Sequence, residues 1–394
     1  MVNHKITISK DKRNELKNYK QKNINELIDI YSEQLKIKEE KSVSQTVEFV
    51  KSNPDLFYVI SHSGGKDSSV AYYIWEKVIS QIDKHINWEI NFSNTSNETA
   101  DTYKLIKNLP KEKLHILNPE IGFYQWLKNK KNYFIPSIMV RNCCSTYKEG
   151  QITKAYDKDS EIVMVTGLRK HESAKRKDYE FFIDHKKRLE IHKNSNMPKK
   201  WITLSPVIDW EDVDVWIYIL KENIKYNRQY ELGFNRVGCL LCPYQHNYID
   251  LIIKKQYPTY WKRWKEILNK NYEIYKIQDR LKWTLDEWIQ GRWKEGISKE
   301  QSIIKNKPTK ENIKELAEVK GISEELAAKY FKKQCNCGKN LNPTEVAMNL
   351  KMYGRNIDTT KMECKKCFCK NNNINSKEYG EMMIRFTEQG CNLF

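Results

Sequence analysis

The sequence predicts an α/β fold: a doubly wound parallel sheet with helical extensions and a small C-terminal Cys-rich module. Three observations predict it. Short apolar runs alternate with amphipathic helical stretches between Leu56 and Gly167, the pattern of parallel strands joined by right-handed helical crossovers. Turn residues follow several of these runs, at the C-terminal strand edge where such sheets hold their ligands. Eight of the ten cysteines fall in close pairs, the arrangement of metal or redox sites rather than scattered disulfides.

Residues 1–50 read as a polar helical extension, with Leu27, Ile28, Ile30 and Tyr31 at mixed helical spacing. Residues 51–250 form the α/β domain. Leu56–Ser61 (LFYVIS) is its first strand, Ser68–Ile82 an amphipathic helix and Trp88–Ser93 (WEINFS) the second strand. Glu98–Leu109 is a second helix, Leu114–Asn118 a third strand and Glu161–Gly167 (EIVMVTG) a further one. Residues 251–333 read as helices and a Lys-rich linker at 294–310, with short helices at 311–333 broken at Gly321. Residues 334–394 read as a zinc-ribbon-like Cys-rich module with little core of its own.

A chain of 394 residues, 39% hydrophobic, has length for a core without disulfide staples. No run of ~18 apolar residues marks a membrane span. The basic stretch Met1–Lys22 lacks an apolar segment, so it does not read as a secretory signal, and a cytoplasmic location is expected. The net charge of +18 favours anionic partners such as nucleotides, nucleic acid or acidic proteins. A Lys-rich solvated surface accounts for the same charge, which leaves that choice open.

The run Ser61-His62-Ser63-Gly64-Gly65-Lys66-Asp67-Ser68-Ser69 lies between the first predicted strand and the first predicted helix. Adjacent glycines let a backbone approach an anion, and the N–H groups of the helix start point at it. Lys66 adds charge, and Ser63 and Ser68 add hydroxyl donors. An ordinary Gly-Gly turn capped by Asp67 is the plain alternative. Thr95, Ser96 and Glu98 follow the second strand, where helix capping is the competing reading. After the strand at 161–167, Gly167, Arg169, Ser173 and Arg176 pack donors and cations into a short turn, with Arg169 and Arg176 suited to a planar clamp on phosphate or sulfate. Tyr257–Trp293 interleaves five tryptophans with Lys and Arg. Trp261, Trp264 and Leu268 have core spacing there, against a nucleic-acid platform as the alternative.

Cys143-Cys144, preceded by Arg141, and Cys239-Leu240-Leu241-Cys242 supply four thiolates, which suit a [4Fe–4S] cluster or Zn. Spacing does not decide between those metals. A second set, Cys335, Cys337, Cys364 and Cys367, has zinc-ribbon separation with one unusually short pair, and Cys369 stands spare beside it. Cys391 lies in Gln389-Gly390-Cys391-Asn392.

These motifs resemble those of the phosphoadenylyl-sulfate and adenylyl-sulfate reductases, within the PP-loop superfamily (adenine nucleotide alpha-hydrolase-like). The loop at 63–68 matches the Ser-Gly-Gly-x-Asp-Ser signature of PP-loop ATP pyrophosphatases. Residues 167–176 match Gly-x-Arg-x-x-Gln/Glu-Ser-x-x-Arg, and Thr95–Glu98 more loosely match Thr-Gly-x-Glu, with Ser96 where Gly is usual. Ser205–Trp216 resembles a Pro-x-x-x-Trp…Asp-Val-Trp segment, a helix start capped near Asp209. The tandem cysteines plus Cys-x-x-Cys resemble the cluster-bearing reductases and the related sulfur-transfer enzyme of DNA phosphorothioation. The resemblance implies ATP or an adenylyl sulfate bound by Ser61, Ser63, Gly64, Gly65, Lys66, Asp67, Ser68, Thr95, Glu98, Gly167, Arg169, Ser173 and Arg176. It gives Lys66, Asp67 and Arg169 catalytic roles, and Cys143, Cys144, Cys239 and Cys242 a [4Fe–4S] cluster. Zn is expected on the C-terminal set. Sulfur transfer, with nucleic acid as an acceptor and a sulfur-donor protein as a partner, stands beside sulfite-producing reduction and a non-catalytic nucleotide sensor. The reductases' Glu-Cys-Gly-x-His motif is not matched around Cys391, which weighs against reduction.

Overall fold

The computed structural model describes residues 24–130, 133–138, 140, 142–173, 176–191, 197–277, 283–295, 303–304, 307–331, 334–389, 391 and 393. Residues 1–23, Arg141, the pair Ala174-Lys175 and much of the 294–310 linker lie outside the described residues. The chain divides into two compact units, Met1–Ile267 and Leu268–Phe394.

The first unit is built on six strands: β1 (Phe57–Ser61), β2 (Trp88–Ser93), β3 (Leu114–Leu117), β4 (Ile162–Val165), β5 (Phe182–Ile183) and β6 (Ile202–Leu204). Their order is β3-β2-β1-β4-β6-β5. All neighbours pair in parallel except β5, which runs antiparallel to β6. The four sequence-predicted strands are β1 to β4. The chain winds outward from β1 through β2 to β3, then restarts on the other side at β4. That reversal is a topological switch point, and it opens a crevice beyond the C-terminal ends of β1 and β4.

Strand alternation sorts side chains to two faces. Tyr58 and Ile60 of β1 and Val163 and Val165 of β4 face one core. Three helices cover it: α1 (Ile24–Ser52), α2 (Lys66–Ile79) and, in the later part of the unit, the helix Asp212–Lys221. The N-terminal helix lays Tyr31, Leu35, Val43 and Val50 into this core, which is why its apolar stripe survives in a polar sequence. Val59, Ile162 and Met164 face the other way, against Leu117, Tyr156 and Trp201.

Further helices of this unit include α3 (Ala100–Ile106), α4 (Asn142–Tyr147), α5 (Glu149–Ala155), α6 (His185–Ile191), α7 (Asp212–Lys221, the helix above) and α8 (Asn247–Gln256). Trp210 and Trp216 are buried, as the sequence suggests. The cap of α7 falls two residues beyond Asp209: Glu211 and Asp214 form a capping box, while Asp209 pairs with Lys170 at 2.7 Å. In α9 (Pro258–Ile277), Trp264, Ile267 and Leu268 are buried while Lys262, Arg263 and Lys265 are exposed. Trp264 stacks on Phe123, so this stripe faces a core.

The second unit holds α10 (Leu285–Ile289), α11 (Lys310–Lys320), α12 (Glu324–Ala328), α13 (Pro343–Met352), α14 (Lys365–Asn371) and α15 (Ser376–Glu388). Gly321 ends α11 in the left-handed conformation, the usual glycine C-cap. The Cys-rich segment proves to have a core, and to share it. Val346, Ala347 and Leu350 of α13 pack with Leu316, Leu326, Tyr330 and Phe331, so one hydrophobic cluster runs across residue 334. Among the described residues no helix is long and apolar enough to cross a membrane.

Candidate active site

The Ser61–Ser69 loop closes the end of β1 and starts α2. Gly64 has φ +75°, and a Cβ there would lie 2.8 Å from the Thr102 Cγ2 of α3, so only glycine fits. The loop is held from within. Ser68 Oγ accepts from the Ser63 N–H at 3.1 Å and donates to the Gly65 carbonyl at 2.9 Å. The Lys66 N–H donates to the Tyr230 hydroxyl at 3.0 Å. Gly167, at the end of the β4 turn, lets that turn lie directly on the loop: a Cβ would sit 2.5 Å from the Asp67 carbonyl carbon and oxygen.

His62 is buried, and its Nδ1 accepts from the Gly64 N–H at 3.2 Å, so Nε2 carries the proton, 3.3 Å from Ser69 Oγ. Burial lowers its pKa to about 4. The unfolded chain therefore takes up a proton first as pH falls. The folding stability that depends on His62 is expected to be constant above about pH 6.5 and to decline between 6.5 and 4, by up to about 3 kcal/mol. Thermal melts across that range check this. A His62→Gln variant should lose the dependence, and an unchanged pH profile in that variant would contradict it.

Beneath the loop, four charged side chains form one network. Arg169 Nε donates to Asp67 Oδ1 at 2.7 Å, and its Nη2 to Asp212 Oδ1 at 3.0 Å. Lys66 Nζ lies 3.0 Å from Asp67 and 2.9 Å from Asp212. Burial opposes the charge on Asp67, but Lys66 and Arg169 outweigh it and hold the carboxyl below the usual range. Two cations thus balance two carboxylates, and Arg169, 2% exposed, is engaged with both. The network fixes the loop against α7. It carries the three residues given catalytic roles by the sequence resemblance, with their charges already paired.

The turn after β2 makes the next wall. Ser96 adopts φ +54°, the conformation for which glycine is usual. Glu98 is buried and accepts from the Thr95 hydroxyl at 2.5 Å and from the Thr95 and Asn97 amides. Burial raises its pKa, against those hydrogen bonds and the charge of Lys148. The same turn touches the Cys239–Cys242 loop: the Leu240 N–H donates to the Asn97 carbonyl at 2.6 Å, and Thr95 Oγ1 lies 3.4 Å from Cys239 Sγ.

Two cavities adjoin here. A small one of about 140 Å³ is lined by Ser61, Ser63, Glu98 and Lys148 among others. A larger one of about 560 Å³ is lined by all four core cysteines with Ser173, Arg176, Arg236 and, again, Lys148. Cys239 is pushed up to about 11 by burial, with Lys148 acting against that shift. Asn97, 1% exposed, lines the larger cavity, and among the described residues neither of its side-chain polar atoms has a hydrogen-bond partner. Lys148 and Arg236 escape a sequence reading, because two more basic residues among 69 Lys and Arg carry no signal. The one available clue is the position of Lys148, four residues after Cys144.

Residues 57–245, which hold the sheet, the loop and all four of these cysteines, match the family model of the phosphoadenosine phosphosulfate reductase domain. This stretch is a phosphoadenosine phosphosulfate reductase domain. An uncharacterized protein of Methanocaldococcus jannaschii is 29% identical over 282 residues, covering 69% of this chain and 61% of the relative. A second from that organism is 30% identical over 221 residues, covering 56% and 43%. The chain thus spans between about two fifths and three fifths of these relatives' length. An adenosine 5'-phosphosulfate reductase of Anoxybacillus flavithermus is 25% identical over 163 residues, 39% of this chain and 61% of the relative. Among solved structures, phosphoadenylyl-sulfate reductase from Candida auris, as a phosphate complex, gives a TM-score of 0.37 at 18% identity over 56% of this chain and 95% of that one. The U34-tRNA thiolase of Methanococcus maripaludis with its [4Fe-4S] cluster gives 0.36 at 17%, over 63% and 80%.

Beyond the reductase domain, Cys335, Cys337, Cys364 and Cys367 bring their sulfur atoms within 4.8 Å of one another. Among the described residues no other group does so, and no disulfide joins any cysteine. Zn–S bonds of ~2.3 Å put two ligands of one ion no more than ~4.6 Å apart, close to this spacing. The short Cys-x-Cys pair works because Gly338, at φ +82°, folds its N–H back to the Cys335 carbonyl at 2.8 Å. Cys364 is the N-cap of α14, so Cys367 follows one turn later. Burial opposes the Cys335 thiolate, but the Cys337 and Cys364 amides bring its pKa down to about 7. Cys369 is outside the set, near the Asn375 carbonyl. We predict one Zn per chain here. Cys337→Ser with Cys367→Ser should remove it, lower the melting transition of the second unit and leave iron content unchanged. Metal analysis and melting check this, and a fold that binds no Zn and melts identically in the double variant would refute it.

Proposed function

We propose that the reductase domain binds an adenine nucleotide at the β1/β4 switch point and works with a [4Fe–4S] cluster on Cys143, Cys144, Cys239 and Cys242, as a cytoplasmic sulfur-transfer enzyme. The observation that carries this reading is adjacency. The loop cavity and the four-thiol cavity share Lys148, and the Thr95–Cys239 and Asn97–Leu240 contacts tie their walls. A nucleotide seated on the loop would place its reacting end toward the thiols.

The residues fit a cluster better than a single ion. The core sulfurs line a cavity of about 560 Å³ rather than closing as the C-terminal set does. Lys148, Arg176 and Arg236 offset the negative charge of four thiolates, and the unpartnered Asn97 amide offers donors to bound sulfur. The cluster would supply a polarising or sulfur-carrying metal centre. The chain's own residues hold the rest: loop amides and hydroxyls for the phosphates, the Lys66–Asp67–Arg169–Asp212 network to fix the loop, and Ser173 and Arg176 on the wall of the thiol cavity.

In the sulfur-transfer reading, an acceptor oxygen bonds to the α-phosphorus of ATP and pyrophosphate leaves. Sulfur at the sulfide level then replaces AMP, which departs with that oxygen. The net charge of +18 favours a nucleic-acid acceptor, served by a sulfur-donor protein. The second reading, reduction of an adenylyl sulfate to sulfite, is favoured by the similarity to adenosine 5'-phosphosulfate reductases. Against it, Cys391 is packed at the edge of the Leu316–Leu326 core rather than set as an open nucleophile. Anaerobic protein incubated with ATP and bulk RNA or DNA as acceptor, and separately with the adenylyl sulfates and a dithiol reductant, distinguishes them. Pyrophosphate or AMP is expected from ATP, whereas sulfite release would assign the reductase reaction.

A further inference from the structure

The mouth of the thiol cavity carries aromatic surface that neither the nucleotide nor the cluster uses. Tyr244 lines the cavity yet is 37% exposed. Tyr248, at 43%, stacks on His246 with ring centroids 5.7 Å apart and planes 15° from parallel. The Tyr244 hydroxyl donates to the Ile138 carbonyl at 3.3 Å, which brings the exposed Ile138 and Val140 alongside. The Tyr248 hydroxyl reaches the Gly233 carbonyl at 3.5 Å, and Gln245 Nε2 the Arg236 carbonyl at 3.5 Å. Residues 244–248 thus carry a rim of exposed aromatic rings from the cavity wall at Tyr244 outward to Tyr248, and the exposed Arg236 shares that wall with the less exposed Arg176 and Lys148.

We infer that this rim takes an unpaired nucleotide of a nucleic-acid strand, its base on the tyrosines and its phosphate on Arg236. The inference rests on the sulfur-transfer reading of the adjoining site. Aromatic rings interleaved with cations are the equipment for single strands, because every base has a face to stack and every link a phosphate. The thiols lie in a recess, so a base must leave its own stack to reach them. Charge complementarity favours this occupant over a protein. The cations on the cavity wall are Arg236, Arg176 and Lys148, and the one carboxylate among the residues lining the cavity, Glu172, is already paired with Arg176.

The test is fluorescence anisotropy on full-length, anaerobically purified protein. The probes are labelled single-stranded RNA and DNA and the matching duplexes, at two salt concentrations. Single strands are expected to bind more tightly than duplex. Tyr248→Ala should weaken them by roughly 5- to 100-fold, the range for a lost stacking contact, while Tyr248→Phe stays near wild type. Arg236→Gln should lower the salt slope by about one. ATP affinity and iron content should be unchanged in Tyr248→Ala. Equal binding by wild type and Tyr248→Ala overturns the inference. So does absent binding at low salt with ATP affinity and iron intact, an outcome that leaves the nucleotide site standing. Tyr248-dependent capture of a sulfur-donor protein instead would assign the rim to that partner. Loss of ATP binding in the wild type would sink the reading of the switch-point site itself.

Discussion

Gly167→Ala is expected to abolish adenine-nucleotide binding while the protein stays folded. The new Cβ would lie 2.5 Å from the Asp67 carbonyl carbon and oxygen and 2.7 Å from the Ser68 nitrogen. All three are backbone atoms, so no side chain can swing aside. Either the β4 turn lifts from the loop or the first turn of α2 shifts, and both change the cradle of N–H groups on which anion binding depends. Overpacking of this kind costs about 1–3 kcal/mol, which the large core around Trp75, Trp210 and Tyr218 should withstand. The Arg169 pairs with Asp67 and Asp212 would be strained by the same shift, because Arg169 sits two residues beyond the glycine. ATP titration by calorimetry should show affinity weakened by at least ~100-fold, equivalent to ~2.8 kcal/mol, with a melting temperature a few degrees lower. Wild-type affinity in a folded Gly167→Ala protein would place the nucleotide elsewhere.

The second large effect is expected at Cys239. This residue joins the two halves of the site, since its sulfur lies 3.4 Å from Thr95 Oγ1 and its loop is bonded to Asn97. The unmetallated thiol is held protonated by burial, so metal binding must displace its proton. Cys239→Ser should therefore remove the cluster and its visible absorption, and the oxygen-sensitive brown colour expected of the wild type should vanish. ATP binding should persist, because Gly64, Gly65 and Gly167 are untouched. A Cys239→Ser protein that keeps a full complement of iron would refute the ligand assignment.

Much of this architecture is legible in the chain itself, and the illegible parts have identifiable reasons. β1 to β4 announce themselves because buried parallel strands are nearly continuous apolar runs. β5 and β6, two and three residues long, are too short to show a period. The glycines of the loop are visible because the chain has only 14. What each charged residue does is not visible. Arg169 reads as a phosphate clamp, and nothing local shows that the fold also pairs it with Asp67 and Asp212, 102 and 43 residues away. Tyr230, whose hydroxyl holds the Lys66 amide, is 164 residues from its partner. The Cys-rich segment reads as having little core of its own because its apolar partners, Leu316, Leu326 and Phe331, belong to short helices that precede it and show no sign in the sequence of packing against it. Local chemistry follows from local sequence, whereas charge pairing and shared cores are made by long-range contacts.

The central claim is that the nucleotide loop and the four core cysteines form one site. The most direct test is to titrate anaerobically purified protein with ATP, and with an adenylyl sulfate, while recording the cluster's electronic or Mössbauer spectrum alongside iron content. The account predicts about four iron atoms per chain, as a [4Fe–4S] cluster requires, and a saturable spectral change whose midpoint matches the calorimetric affinity and is absent in Gly167→Ala. Stoichiometric Zn without iron at these cysteines, or an iron spectrum indifferent to saturating nucleotide, would contradict it.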